Sequence, residues 1–199
     1  MSAHIYVEGG GDSKELHARC REGFRKLLEQ CGFKGRLPRL TASGGCTEVF
    51  SDFETAHDNN AVGDFVAMWL DSEEPLYDLD ATLQHLKSHD RWNPPAGAVN
   101  NQVLLMTTCM ETWIVADRVT LRECYGSELR ESALPSLVGL EKLKRHEVLD
   151  KLVRATRRCS NAYAKGKRSF QILGKLSPVT LKRYLPSFVR AHGILDEQL

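Results

Sequence analysis

The chain has 199 residues, 42% hydrophobic and 27% charged, a balance that fits one sizeable globular core and excludes collagen-like, low-complexity and disordered classes. No run approaches the roughly 18 apolar residues of a membrane span, and no basic segment leads into an apolar one at the N-terminus, so a cytoplasmic protein without a membrane partner is expected. The net charge of +1 hides a division: residues 140–199 carry 14 Lys and Arg against 5 Asp and Glu, which leaves the preceding part acidic and makes a phosphate-bearing or acidic partner plausible for the basic third.

In chain order, residues 4–8 read as a short buried strand ending on Glu8, followed by Gly9-Gly10-Gly11-Asp12. An amphipathic helix follows from Asp12 to about Cys31, with Asp12 and Glu15 fitting a capping box and Gly32 ending it. A second strand near 36–42 leads through Ser43-Gly44-Gly45 to a helix over 46–59, and a third strand, 64–70, runs into Asp71-Ser72-Glu73. A helix near 79–89 and a Pro94-Pro95-Ala96-Gly97 loop precede a fourth strand at 103–106, which feeds a helix from Cys109 to about Tyr125. Past Gly126 no strand is evident, and basic helices are expected at 141–158, 169–176 and 179–191.

This alternation predicts an α/β fold: a mostly parallel four-stranded sheet with helices on both faces, where ligands sit beyond the carboxyl ends of the strands. Residues 1–126 are expected to form a catalytic core, and 127–199 a basic helical appendage packed on it. The six cysteines are far apart and show no Cys-x-x-Cys pair, so reduced thiols are expected rather than disulfides or structural zinc.

The acids carry the chemistry. Glu8, Asp71 and Glu73 at strand ends provide the oxygen ligands that a hard cation such as Mg²⁺ needs, and two positions apart on a continuing strand Asp71 and Glu73 would share a side. A metal there suits phosphodiester transfer, with Glu8 as general base or acid and Gly9, Gly10 and Gly11 leaving room for a phosphate or a second strand to approach the backbone. Glu111 has two readings, a cap in Thr108-x-x-Glu111 or a further acid. Arg154, Arg157, Arg158, Lys165, Lys167 and Arg168 could contact phosphates, or form an ordinary solvated face. The Gly9-to-Lys14 segment lacks the end of a P-loop, and His85 with His89 lacks the glutamate of a metalloprotease motif.

At these residues the sequence resembles the Toprim domain. Glu8-Gly9-Gly10-Gly11-Asp12 is similar to that family's Glu-Gly-x-x-Asp motif, and Asp71-Ser72-Glu73 to its Asp-x-Asp motif, departing from it in Glu73. More narrowly, Cys109 to Asp117, Tyr163-Ala164-Lys165 and Pro186-Ser187-Phe188 resemble domain-of-unknown-function family 4276, a Toprim-like group related to OLD nucleases and often encoded beside ATPases in defence clusters. The resemblance implies a Rossmann-like sheet, a catalytic Glu8, metal-binding Asp71 and Glu73, and Glu111 as an additional acid. It implies a Mg²⁺- or Mn²⁺-dependent endonuclease acting on nucleic acid, the effector subunit of an ATPase-associated anti-phage complex. A noncatalytic module binding nucleic acid or a partner, and a phosphohydrolase of small phosphoesters, are the alternatives.

Overall fold

The computed structural model describes residues 2–61 and 63–199. Strands β1 (Ala3–Glu8), β2 (Arg39–Gly44), β3 (Phe65–Asp71) and β4 (Val103–Met106) form one all-parallel sheet in the order β2-β1-β3-β4. Chain order reverses direction between β1 and β3, and such a switch point leaves a crevice beyond the strands' carboxyl ends. Glu8 ends β1 and Asp71 ends β3, so the two acids stand on either side of it.

Period-two alternation divides the core between the faces. Ile5, Val7, Ala67, Trp69, Leu104 and Met106 point to one face, where α1 (Lys14–Leu28) packs. Val66, Met68, Leu70, Val103 and Leu105 point to the other, under Val49, Phe50 and Phe53 of α2 (Cys46–Asp58) and Leu86 of α3 (Thr82–His89). The first face also receives α4 (Met110–Ala116), α5 (Arg118–Tyr125), α6 (Arg145–Thr156), α7 (Lys167–Leu173), α8 (Pro178–Tyr184) and α9 (Pro186–Gln198), whose buried side chains join the sheet in one apolar cluster. Trp113 sits at its centre, edge-on to Trp69 at 5.6 Å and to Phe188 at 5.0 Å.

Several boundaries differ from the sequence expectation for local reasons. Ser13, not Asp12, caps α1: its backbone is extended and its hydroxyl accepts from Leu16 N at 3.3 Å. The helix expected over 109–125 is two helices, because Asp117 leaves helical conformation and its carboxylate caps the second one through Thr120 N at 3.1 Å. No Thr108 cap forms, since Cys109 occupies the N-cap position of α4. The segment expected as one helix over 179–191 is broken before Pro186, whose ring holds Leu185 extended, and α9 then runs on to Gln198. All six cysteines are free. No helix among the described residues is long and apolar enough to cross a membrane.

Candidate active site at the strand ends

A cleft of about 680 Å³ lies beyond β1 and β3, lined by Glu8, Asp71 and Glu111 together with Arg145 and Lys165. Backbone hydrogen bonds stitch the acids together across three elements. Glu8 Oε2 accepts from Asp71 N at 2.9 Å, and Asp71 Oδ1 accepts from Met110 N at 2.9 Å, the first N–H of α4. One residue further, Glu111 is 2% exposed and accepts from the Tyr163 hydroxyl at 2.6 Å. Lys165 Nζ lies 3.7 Å from the same Glu111 oxygen.

Burial raises the Glu8 pKa, against the opposing pull of the Asp71 N–H, Arg145 and Lys165. Asp71 is raised well above the usual carboxylate range by burial first, then by the charges of Glu8 and Glu111. Desolvation also raises the Tyr163 hydroxyl, with the Glu111 carboxylate adding to it, so Tyr163 stays a proton donor to Glu111. Raised values mark carboxylates that are crowded and short of water, and a cation bound between them would favour their charged forms.

The glycine turn serves packing as much as access. A Cβ on Gly9 would lie 2.9 Å from Phe170 Cζ, and one on Gly10 would lie 2.9 Å from His17 N. Their clearance is therefore taken up by α7 and α1, while Gly11, at φ 48°, faces open space.

Glu73 departs from the expected placement. β3 ends at Asp71, the chain turns so that Glu74 N donates to Ser72 O, and Glu73 takes a positive φ of 64°. The alternation of a continuing strand no longer applies, and the Glu73 carboxylate forms an ion pair with Arg145 instead of lining the cleft. Among the basic residues, Lys165 reaches the cleft, Lys167 is exposed at the start of α7, and Arg168 lines a neighbouring crevice. Arg154, Arg157 and Arg158 are exposed near the far end of α6; at 1.5 Å per residue, Arg154 is about 14 Å along the axis from Arg145.

Arg145 is the site residue that sequence reasoning missed. It is the first residue of α6, and the Thr108 hydroxyl donates to Leu143 O at 3.1 Å, which anchors the approach to that helix beside β4. Its only sequence signal is membership of the basic third.

Among the described residues no three His, Cys, Asp or Glu side chains converge as a closed metal cage. Mg²⁺ asks for less, one or two carboxylates with water and substrate oxygens in its other positions, and Glu8 with Asp71 provides that donor set. Burial pushes the Cys20 and Cys109 thiols up to about 12, so neither is poised as a thiolate nucleophile.

Fold and cleft together define a doubly wound α/β protein with an acidic pocket at its switch point and cations at the rim. The chain belongs to the family described as a domain of unknown function, DUF4276, whose model matches residues 7–195. No curated protein and no solved structure matches it.

Proposed function

We propose that the protein is a Mg²⁺- or Mn²⁺-dependent nuclease of Toprim type that hydrolyses phosphodiester bonds. The observation that carries this reading is the convergence of Glu8, Asp71 and Glu111 with Lys165 and Arg145 in one cleft at the switch point. A bound divalent ion would supply positive charge to the phosphoryl oxygens. Glu8 and Asp71 would hold it, each oriented by a backbone N–H. Lys165 and the Arg145 fork bind the remaining phosphate oxygens. Glu8 serves as general base or acid toward the attacking water, and Glu111, fixed by Tyr163, keeps Lys165 in place. An ATPase partner and a role in anti-phage defence complete the proposal and rest on the family resemblance.

The test uses labelled DNA and RNA strands incubated with the purified protein in Mg²⁺, Mn²⁺ or EDTA, with and without the neighbouring ATPase. Cutting should need the metal, and Glu8→Gln and Asp71→Asn should each lower it by a factor of about 100 or more. Cutting retained in both variants would remove the assignment.

A noncatalytic binding module is favoured by one observation, the commitment of the Glu73 carboxylate to Arg145. Titration calorimetry with Mn²⁺ separates the two readings, because the module predicts no heat that depends on Glu8 or Asp71.

A further inference from the structure

A second hollow, of about 500 Å³, opens between α1, α5 and α7, and Phe170 lines both it and the acidic cleft. Four cations, Arg19, Lys26, Arg168 and Lys175, stand on its walls against Glu22 and Glu123. Arg19 is paired with Glu15 and Lys26 with Glu22, each at 2.7 Å. Lys175 and Arg168 form no ion pair among the described residues.

Arg168 is held in a way that leaves part of it unused. Its guanidinium lies 5.2 Å over the Tyr125 ring and Nη2 donates to Cys124 O at 3.1 Å, yet Nε is buried without a partner. Nε is thus closed off from the crevice, and it is the Nη edge, held in place by Tyr125 and Cys124, that can meet a phosphate oxygen, the acceptor for which a guanidinium is best shaped. The segment carrying it also links the two hollows. Lys165 is in the cleft, Lys167 is exposed, and Arg168 is in the crevice, so four residues of chain lay cations from one to the other.

We propose that this crevice is a phosphate subsite for the polynucleotide cut in the cleft, holding a backbone phosphate on one side of the scissile bond through Arg168 and Lys175. The inference rests on the nuclease reading for its substrate, and its test is separable from that reading. Binding is measured by fluorescence anisotropy of labelled DNA and RNA strands of about 12 nucleotides, with Ca²⁺ in place of Mg²⁺, across a salt series. Lys175→Glu alters an exposed side chain; Arg168→Gln is compared only if its melting curve matches that of the wild type, and otherwise Lys175→Glu decides alone.

Each variant should bind the strand about tenfold more weakly and lower the salt slope by about one. With Mg²⁺, its loss of cleavage should be about tenfold greater on the strand than on a dinucleotide. Wild-type affinity and salt slope in Lys175→Glu would overturn the subsite. Equal losses on strand and dinucleotide would also overturn it, as would tighter binding of a free mononucleotide than of the strand. If the wild type cuts nothing, the nuclease reading fails and the binding series still decides the subsite; if it binds no strand, both fail.

Discussion

Asp117→Ala tests how the C-terminal helices are tied to the sheet. Asp117 is fully buried between α4 and α5 and accepts from Thr120 N at 3.1 Å, Thr120 Oγ1 at 2.9 Å and Ser177 N at 2.8 Å, the last from the residue that caps α8. Truncation removes the α5 cap, worth about 1 kcal/mol. It also strands donors, at about 1–3 kcal/mol for each that water cannot reach. The Thr120 N–H is the cap bond already counted and the Thr120 hydroxyl keeps a second acceptor, Lys175 O at 3.3 Å, so the Ser177 N–H is the donor newly stranded. The loss is therefore about 3 kcal/mol, a large share of the roughly 5–15 kcal/mol that holds a domain together. Asp117→Asn keeps one acceptor oxygen and should lose about half as much. Urea titrations followed by circular dichroism and by tryptophan fluorescence give both values, with the two probes moving as one transition. A loss below about 1 kcal/mol for the alanine variant, or equal losses for alanine and asparagine, would refute the account.

Three further outcomes follow from other contacts. Gly23→Ala would place a Cβ 2.7 Å from the Phe170 carbonyl, prising α7 from α1, so the melting temperature should fall with a loss of about 2 kcal/mol or more. Tyr163→Phe removes the hydrogen bond that orients Glu111; a drop of about tenfold in metal-dependent cleavage with a displaced pH profile is expected, whereas an unchanged profile would make Tyr163 a packing residue. Burial raises the Glu141 pKa to about 7, against two opposing hydrogen bonds from Ser187. Because the folded pKa lies above the usual carboxylate value, wild-type stability should fall as the pH rises from about 4.5 through about 7, and Glu141→Gln should gain on it by up to about 3 kcal/mol by pH 8.

The fold was legible wherever side-chain period and strand length agreed. β4 reads directly as Val103-Leu104-Leu105-Met106, and its neighbours differ from expectation by a few residues at their ends. Parallel strands buried on both faces are continuous apolar runs, so their existence shows even in one sequence. What failed was local punctuation. Asp117 breaks a helix without glycine or proline, because its carboxylate supplies the next helix with a cap. Glu73 failed for the opposite reason: a strand period was extended past the residue where β3 stops. Glu8 and Asp71 are nameable because acids directly after apolar runs are conspicuous, whereas Glu111, five residues past the end of β4, is singled out only through the family resemblance. Arg145 is not, because selecting one arginine from a basic third requires knowing which helix start meets the sheet.

That same arginine bears on how the chain is divided. Read by composition, the acidic and basic parts look like a core and an appendage, yet the cleft draws from both: Glu8, Asp71 and Glu111 from the first, Arg145 and Lys165 from the second. The link is also apolar, since Phe170 packs against the position of Gly9 while its own carbonyl abuts Gly23. Residues 1–126 alone would leave three neighbouring carboxylates in a pocket stripped of its cations, and would uncover the side of the apolar cluster on which Trp113 meets Phe188. Like charges gathered in a poorly hydrated pocket repel one another unless a counter-charge stands close, so the basic helices make the acidic cleft tolerable as well as positioning what binds there. Two cations of the basic third and three acids of the preceding stretch therefore make one site assembled from two stretches of sequence.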